Sequence, residues 1–168
     1  MSPQTGIISG SAIAGDAMKY VGTPYVFGGS NPTDGWDCSS FVNWVLGHDF
    51  NMKLPGTMTP GFAGTSHGPA VLQYATWTKA HAVLKPEAGD LCIWPGAGAN
   101  GHIGIATSPS HMVSALNPAL GTATSPIHGA GPAGVVVVFK RIGAAGSSPL
   151  SGCLPGVGLI ARLMHYGL

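Results

Sequence analysis

Apolar positions at helical spacing come first along the chain. Ile13, Ala14, Ala17, Met18 and Val21 recur three and four apart, which predicts a helix. Ser9 or Ser11 supplies its N-cap, and Gly22 followed by Pro24 ends it. A second stripe, Cys38, Phe41, Val42 and Val45, predicts a helix that starts at Asp37 or Cys38. Between the two, "TPYVFGGSNPTDG" reads as a short extended piece and a turn-rich loop. Residues 47–70 show little periodicity and read as loop, and residues 71–78 as a short helix. The pattern then shifts to period two. "LCIW", "HIGIAT" and "HMVSAL" read as strands, separated by the turns "PGAGANG" and "SPS". "GVVVVFK" is the most apolar strand candidate and is expected at the centre of the sheet. Helices first and antiparallel strands afterwards give an α+β plan, with the helices packed on a central antiparallel sheet. Residues 1–142 form one expected domain. Residues 143–168 are a Gly/Ser/Pro-rich linker and a short apolar tail.

Composition narrows the function. The 168 residues fit a single domain with a sizeable core. Net charge is +1 with no basic cluster, which argues against nucleic acid as a partner. Charged residues are only 8% of the chain and mean hydropathy is +0.29, a balance suited to a domain held in a larger assembly. Cys38, Cys92 and Cys153 are an odd number without framework spacing, so no disulfide scaffold is expected. The N-terminus lacks a basic segment followed by an apolar run, so no secretory signal is read. No stretch approaches the roughly 20 apolar residues of a membrane span. The seven histidines show no metal-ligand spacing and no C-x-x-C pair occurs, so neither a metal nor a cofactor is expected.

The candidate chemistry begins at "GWDCSSFVNWVL". Cys38 stands at a helix start, where unpaired amides and the helix dipole favour a thiolate, so a lowered thiol pKa is expected. Taken alone, such a cysteine is as readily a small buried apolar residue beside an Asp37 cap. The second feature is His102, which opens a strand after Gly101. Gly104 and Ala106 share its face and leave room there, and the Cys38 helix is the expected occupant. The third is Ser114. A three-residue loop over 107–109 pairs Ala106 with Ser110 and sets His102 opposite Ser114, where the hydroxyl can orient the imidazole. Trp36 reads equally as core or as cleft wall. Cys92 reads as inert core.

Four segments taken in order, "GTPYVFGG", "GWDCSSFVNWVL", "PEAGDLCIW" and "GHIGIA", resemble the successive motifs of the NlpC family, papain-like cysteine peptidases of bacterial cell walls. The resemblance covers roughly residues 10–140. It implies a papain-like fold and hydrolysis of peptidoglycan stem peptides, typically between γ-D-glutamate and a diamino acid. It carries the nucleophile to Cys38 and the general base to His102. Tyr25, with Trp36, Asp37 and Ser39, becomes a candidate for oxyanion or substrate binding. Twelve positions after its first histidine the family usually has a second. Here Ser114 stands there, with Asn117 as the alternative third residue. Two rival readings are an amidase or acyltransferase on the same fold, and a degenerate structural or binding domain of a phage tail. The composition and the unread leader suit a phage-encoded protein that reaches the bacterial wall in the virion or at lysis, with other tail proteins as partners.

Overall fold

A computed structural model of the chain describes residues 8–56 and 67–142. Helix α1 (Gly10–Ala17) is capped by Ser9, whose Oγ accepts the Ala12 N–H at 3.1 Å. Ile13, Ala14 and Ala17 form its buried face, and the helix tightens into a 3-10 turn over Met18–Tyr20. Strands β1 (Ser30–Asn31) and β2 (Gly35–Trp36) form a small antiparallel pair just before the second helix. Helix α2 (Cys38–Asn43) is buried along its whole length and widens into a π-helical turn over Trp44–Asp49. Helix α3 (Val71–Ala75) is shorter than the sequence pattern implies.

Six strands make the main sheet: β3 (Ala80–Val83), β4 (Leu91–Trp94), β5 (His102–Ala106), β6 (His111–Asn117), β7 (Gly121–Pro126) and β8 (Val138–Ile142). Their order is β3-β8-β4-β5-β6-β7, and every neighbouring pair is antiparallel. The α+β plan holds. The expectation for "GVVVVFK" needs adjustment. Strand pairing begins only at Val138, and β8 lies between β3 and β4 rather than at the middle of the sheet. Val135 and Val137 pack beneath the sheet, while Val136 is exposed.

The sheet buries both faces. On one, Leu91, Ile93, Ile103, Ile105, Val113 and Ala115 pack with Ile13, Ala17, Phe41, Val42 and Val45 of the helical layer. On the other, Cys92, Trp94, Ala106 and Met112 are covered by Ile127 and the chain leading into β8. Cys92 is the inert core residue expected, its thiol pushed up to about 12 by burial and by the Asp90 charge. Gly131 lets that covering chain close over Trp94, since a Cβ there would fall 2.2 Å from the indole ring. Alternating burial on two faces explains why the strands carry near-continuous apolar runs. Residues 143–168, read from sequence as linker and tail, lie outside the described residues.

Candidate active site

The nucleophile candidate is built from Asp37 outward. Asp37 is extended and caps α2: its Oδ1 accepts the backbone N–H groups of Ser39 and Ser40, each at 3.1 Å. The same oxygen accepts both serine hydroxyls, at 3.0 and 2.8 Å. Oδ2 accepts the Gly28 N–H at 3.1 Å and meets His67 Nε2 at 2.6 Å. Burial alone would push this carboxyl up. The hydrogen bond from His67, followed by the Ser40 amide, brings it instead down to about 2. Asp37 is therefore a fixed anion that shapes the helix start. The cap fixes Cys38 at the first helical position, where the residue is 9% exposed.

Helix position does not win over burial. The Cys38 thiol is pushed up to about 11, first by burial and then by the Asp37 charge. The amides of Ile103, Ser39 and Cys38 itself pull it the other way and lose. The lowered pKa expected from the helix start is thus corrected. The reason is that the helix is short, the sulfur is nearly dry, and its capping residue is an anion.

His102 begins β5, buried and 5.6 Å from the Trp94 ring centroid. Burial lowers its pKa to about 4, so the imidazole is neutral near pH 7. The expected face is also corrected. α2 packs on the Ile103 and Ile105 side of β5, and the face shared by His102, Gly104 and Ala106 belongs to the second core. Cys38 and His102 line one cleft at the start of the strand, where the Ile103 amide faces the sulfur.

Ser114 contacts His102, though not through the expected register. Ala106 pairs with Met112 and Ile105 with Val113, so the turn is longer than three residues. The Thr107 and Ser108 amides close it by bonding to the His111 carbonyl. Continuing that pairing sets Ser114 opposite Gly104, with His102 on the diagonal of the same face. The shift of two preserves the face, as a shift of one would not. Gly104 makes the diagonal passable. A Cβ there would lie 2.7 Å from Met112 Sδ and 3.0 Å from Ser114 Cβ. The Ser114 Oγ then sits 3.0 Å from His102 Nε2 and 2.7 Å from the Ile103 carbonyl.

Those two distances fix the imidazole tautomer. A serine hydroxyl has one hydrogen, and a carbonyl can only accept. Ser114 donates to Ile103 and so accepts from His102, which places the ring proton on Nε2. Nδ1 keeps its lone pair and is the basic atom.

The remaining candidates separate cleanly. Tyr25 and Ser39 line the cleft. The Tyr25 phenol is raised by burial, then by the Cys38 and Asp37 charges, so it stays protonated as a donor. Trp36 is core and not cleft wall. It is fully buried, donates from Nε1 to Thr122 Oγ1 at 2.8 Å, and packs edge-on with Tyr20 at 5.1 Å. Asn117 is exposed and its Oδ1 accepts the Ala119 and Leu120 amides, which closes the turn after β6. It does not take the place of Ser114 beside His102. His111 is exposed and bonds Ser110, consistent with the alternation that turns it away from Ser114. Sequence reading missed His67, because it falls in the stretch without periodicity. Its "HGP" context marks only a turn.

The cleft has a volume of about 590 Å³. Tyr25, Cys38, His67, His102, Leu116 and Gly131 are among its lining residues. This geometry accompanies a clear sequence match. The family model for NlpC/P60 matches residues 22–141.

The chain belongs to the NlpC/P60 family.

Protein P54 of Enterococcus faecium is 34% identical over 113 residues, which is 67% of this chain and 19% of that protein. The bifunctional muramidase/DL-endopeptidase CwlT of Bacillus subtilis is 34% identical over 100 residues, 58% of this chain and 26% of that protein. Among solved structures, the NlpC/p60 domain of the peptidoglycan hydrolase SagA aligns with a TM-score of 0.56 at 26% identity. That alignment covers 78% of this chain and 97% of that domain. The NlpC/P60 domain therefore accounts for most of this chain, which spans about a fifth to a quarter of the curated relatives just named.

Proposed function

We propose that this chain is a cysteine endopeptidase that cleaves amide bonds in peptidoglycan stem peptides. The single observation that carries the reading is the His102 tautomer fixed by Ser114, which leaves Nδ1 as a neutral base in the cleft that holds the Cys38 thiol. The resting pair is neutral on both sides, with the thiol near 11 and the imidazole near 4. His102 Nδ1 therefore takes the thiol proton as Sγ attacks the peptide carbonyl. The tetrahedral oxyanion is stabilised by the Cys38 amide at the helix start, with the protonated Tyr25 hydroxyl as a second donor. Collapse transfers the proton from His102 to the leaving amine and leaves a thioester on Cys38. His102 then activates water, which releases the acyl half and restores the thiol.

The names of CwlT, a DL-endopeptidase, and of SagA, a peptidoglycan hydrolase, support this substrate class. The finer choice of the bond between γ-D-glutamate and the diamino acid rests on the resemblance of the sequence motifs to the family. Delivery to the wall by a phage particle or at phage lysis belongs to the same proposal and rests on composition alone. The test is digestion of purified peptidoglycan by the wild type and by Cys38→Ala, with products read by mass spectrometry. Stem fragments ending in γ-D-glutamate, formed by the wild type alone, are expected. Loss of an intact stem from the glycan would favour an amidase. No release from any of several wall types would end the peptidase reading in favour of a degenerate binding domain.

A further inference from the structure

His67 is a titratable residue of the cleft for which the peptidase reading has no use. It is about one-third exposed and fixed at both ring nitrogens. Nε2 meets Asp37 Oδ2 at 2.6 Å, and Nδ1 meets the Gly68 carbonyl at 3.3 Å. A carboxylate and a carbonyl only accept hydrogen bonds, so the arrangement favours the doubly protonated ring, and the Asp37 hydrogen bond raises its pKa. Ser39 Oγ stands a further 3.5 Å from Nε2.

The protein holds this segment in place from α2. Asn43 is fully buried and donates from Nδ2 to the His67 carbonyl at 2.6 Å and to the Pro69 carbonyl at 2.9 Å. Tyr74 of α3 donates to Asn43 Oδ1 at 2.6 Å, which orients that amide. The helix that presents the thiol thus also positions the imidazolium. The titratable groups that line the cleft with it are Asp37 and Cys38 at the start of α2, Tyr25, and His102 of β5. Among the described residues no Lys or Arg lines the cleft, so a protonated His67 is the cation available to Asp37 there.

We propose that His67 is a positioning residue for the reaction: clasped between Asp37 and the Gly68 carbonyl, its imidazolium neutralises the carboxylate beside the nucleophile and so sets how readily Cys38 gives up its proton. The Asp37 charge works against a thiolate on Cys38. With His67 protonated, the pair presents no net charge to the sulfur. Once His67 loses its proton, the Asp37 charge stands uncompensated and the thiolate becomes harder to form. His67 is raised above 6.5, chiefly by the Asp37 hydrogen bond and against burial, so the compensation is complete at mildly acid pH and fades as pH rises through that raised value.

The inference rests on the peptidase reading for its importance, yet its test needs no substrate. Iodoacetamide alkylation of Cys38 is followed by mass spectrometry of the peptide that carries it, from pH 5 to pH 9, in the wild type, H67Q and H67R. Gln keeps a donor for Asp37 without charge, and Arg keeps both. The wild-type rate is expected to climb with pH and to bend to a shallower slope where His67 deprotonates. H67Q is expected to run about tenfold slower below the bend, equivalent to one unit of thiol pKa, and to show no bend. H67R is expected to restore the rate without the bend. In the hydrolysis assay, kcat of H67Q falls with KM unchanged. A merely structural role would lower the melting temperature and leave the wild-type profile straight. H67Q alkylating at the wild-type rate with the bend retained would overturn the proposal. So would a wild-type profile without a bend, which decides the matter even if H67Q does not fold. Expected labelling profiles without release from peptidoglycan would leave this inference standing and remove the peptidase reading.

Discussion

His102→Ala is expected to lower kcat on a stem-peptide substrate by about a thousandfold or more, with KM little changed. The substitution removes the neutral imidazole that shares the cleft with a thiol that burial holds near 11. Without Nδ1 the nearly buried sulfur must lose its proton to water, a far weaker base. Substrate binding is spared, because the cleft walls built by Tyr25, Ser39 and Leu116 do not depend on the imidazole. Ser114→Ala gives the contrasting result. It removes the acceptor for Nε2–H and frees the ring to adopt the other tautomer, whose Nδ1–H cannot take a proton. A neutral hydroxyl contributes less than a charged partner would, so the expected loss is roughly 10- to 100-fold in kcat. Asn117→Ala is expected to leave activity near wild type, since its amide serves the turn after β6. The steady-state constants of the three variants check the order. Equal losses for Asn117→Ala and Ser114→Ala would contradict the assignment.

The second large effect concerns the thiol itself. Cys38 is expected to alkylate slowly at pH 6 and about a hundredfold or more faster at pH 9, measured on the Cys38 peptide by mass spectrometry. A thiol lowered to an acidic pKa would react at nearly one rate across this range. The sign follows from burial: the charged form is disfavoured, so thiolate accumulates only as pH climbs towards about 11. The same site behaves oppositely on its acid side. Asp37 is brought down to about 2, so its contribution to stability is complete above the ordinary aspartate range and is lost as pH falls through about 2. His102, lowered to about 4, is neutral from above that value through the alkaline range.

Much of this arrangement was legible from residue order. The α1 and α2 stripes, the Ser9 cap, and the strands at "LCIW", "HIGIA" and "HMVSALN" all follow from periodicity, because each has at least one buried face. β3 and β7 escaped for a physical reason. "AHAV" and "GTATSP" lie at the two edges of the sheet, each with only one fully buried residue, so neither carries a strong apolar alternation.

At the site, Cys38, His102 and Ser114 were read as partners, and the Ser114 contact to His102 is present. The route to it was misread, because the length of a turn is not written in the alternation of the strands it joins. The register moved by two, and Gly104 absorbed the change. The thiol pKa was misread for a related reason. The helix start is visible in "DCSSF", but the amount of protein covering the sulfur depends on how β5 and α2 meet. His67 was missed because its role comes from a contact 30 residues away in sequence with the α2 cap.

The most direct test of the central claim is a single-turnover reaction with a soluble stem peptide, quenched in acid and read by intact mass and peptide mapping. The account predicts a transient thioester in which the amino-terminal half of the peptide is attached to Cys38, absent in Cys38→Ala. Product formation with no adduct at Cys38, or with cleavage persisting in Cys38→Ala, would contradict it.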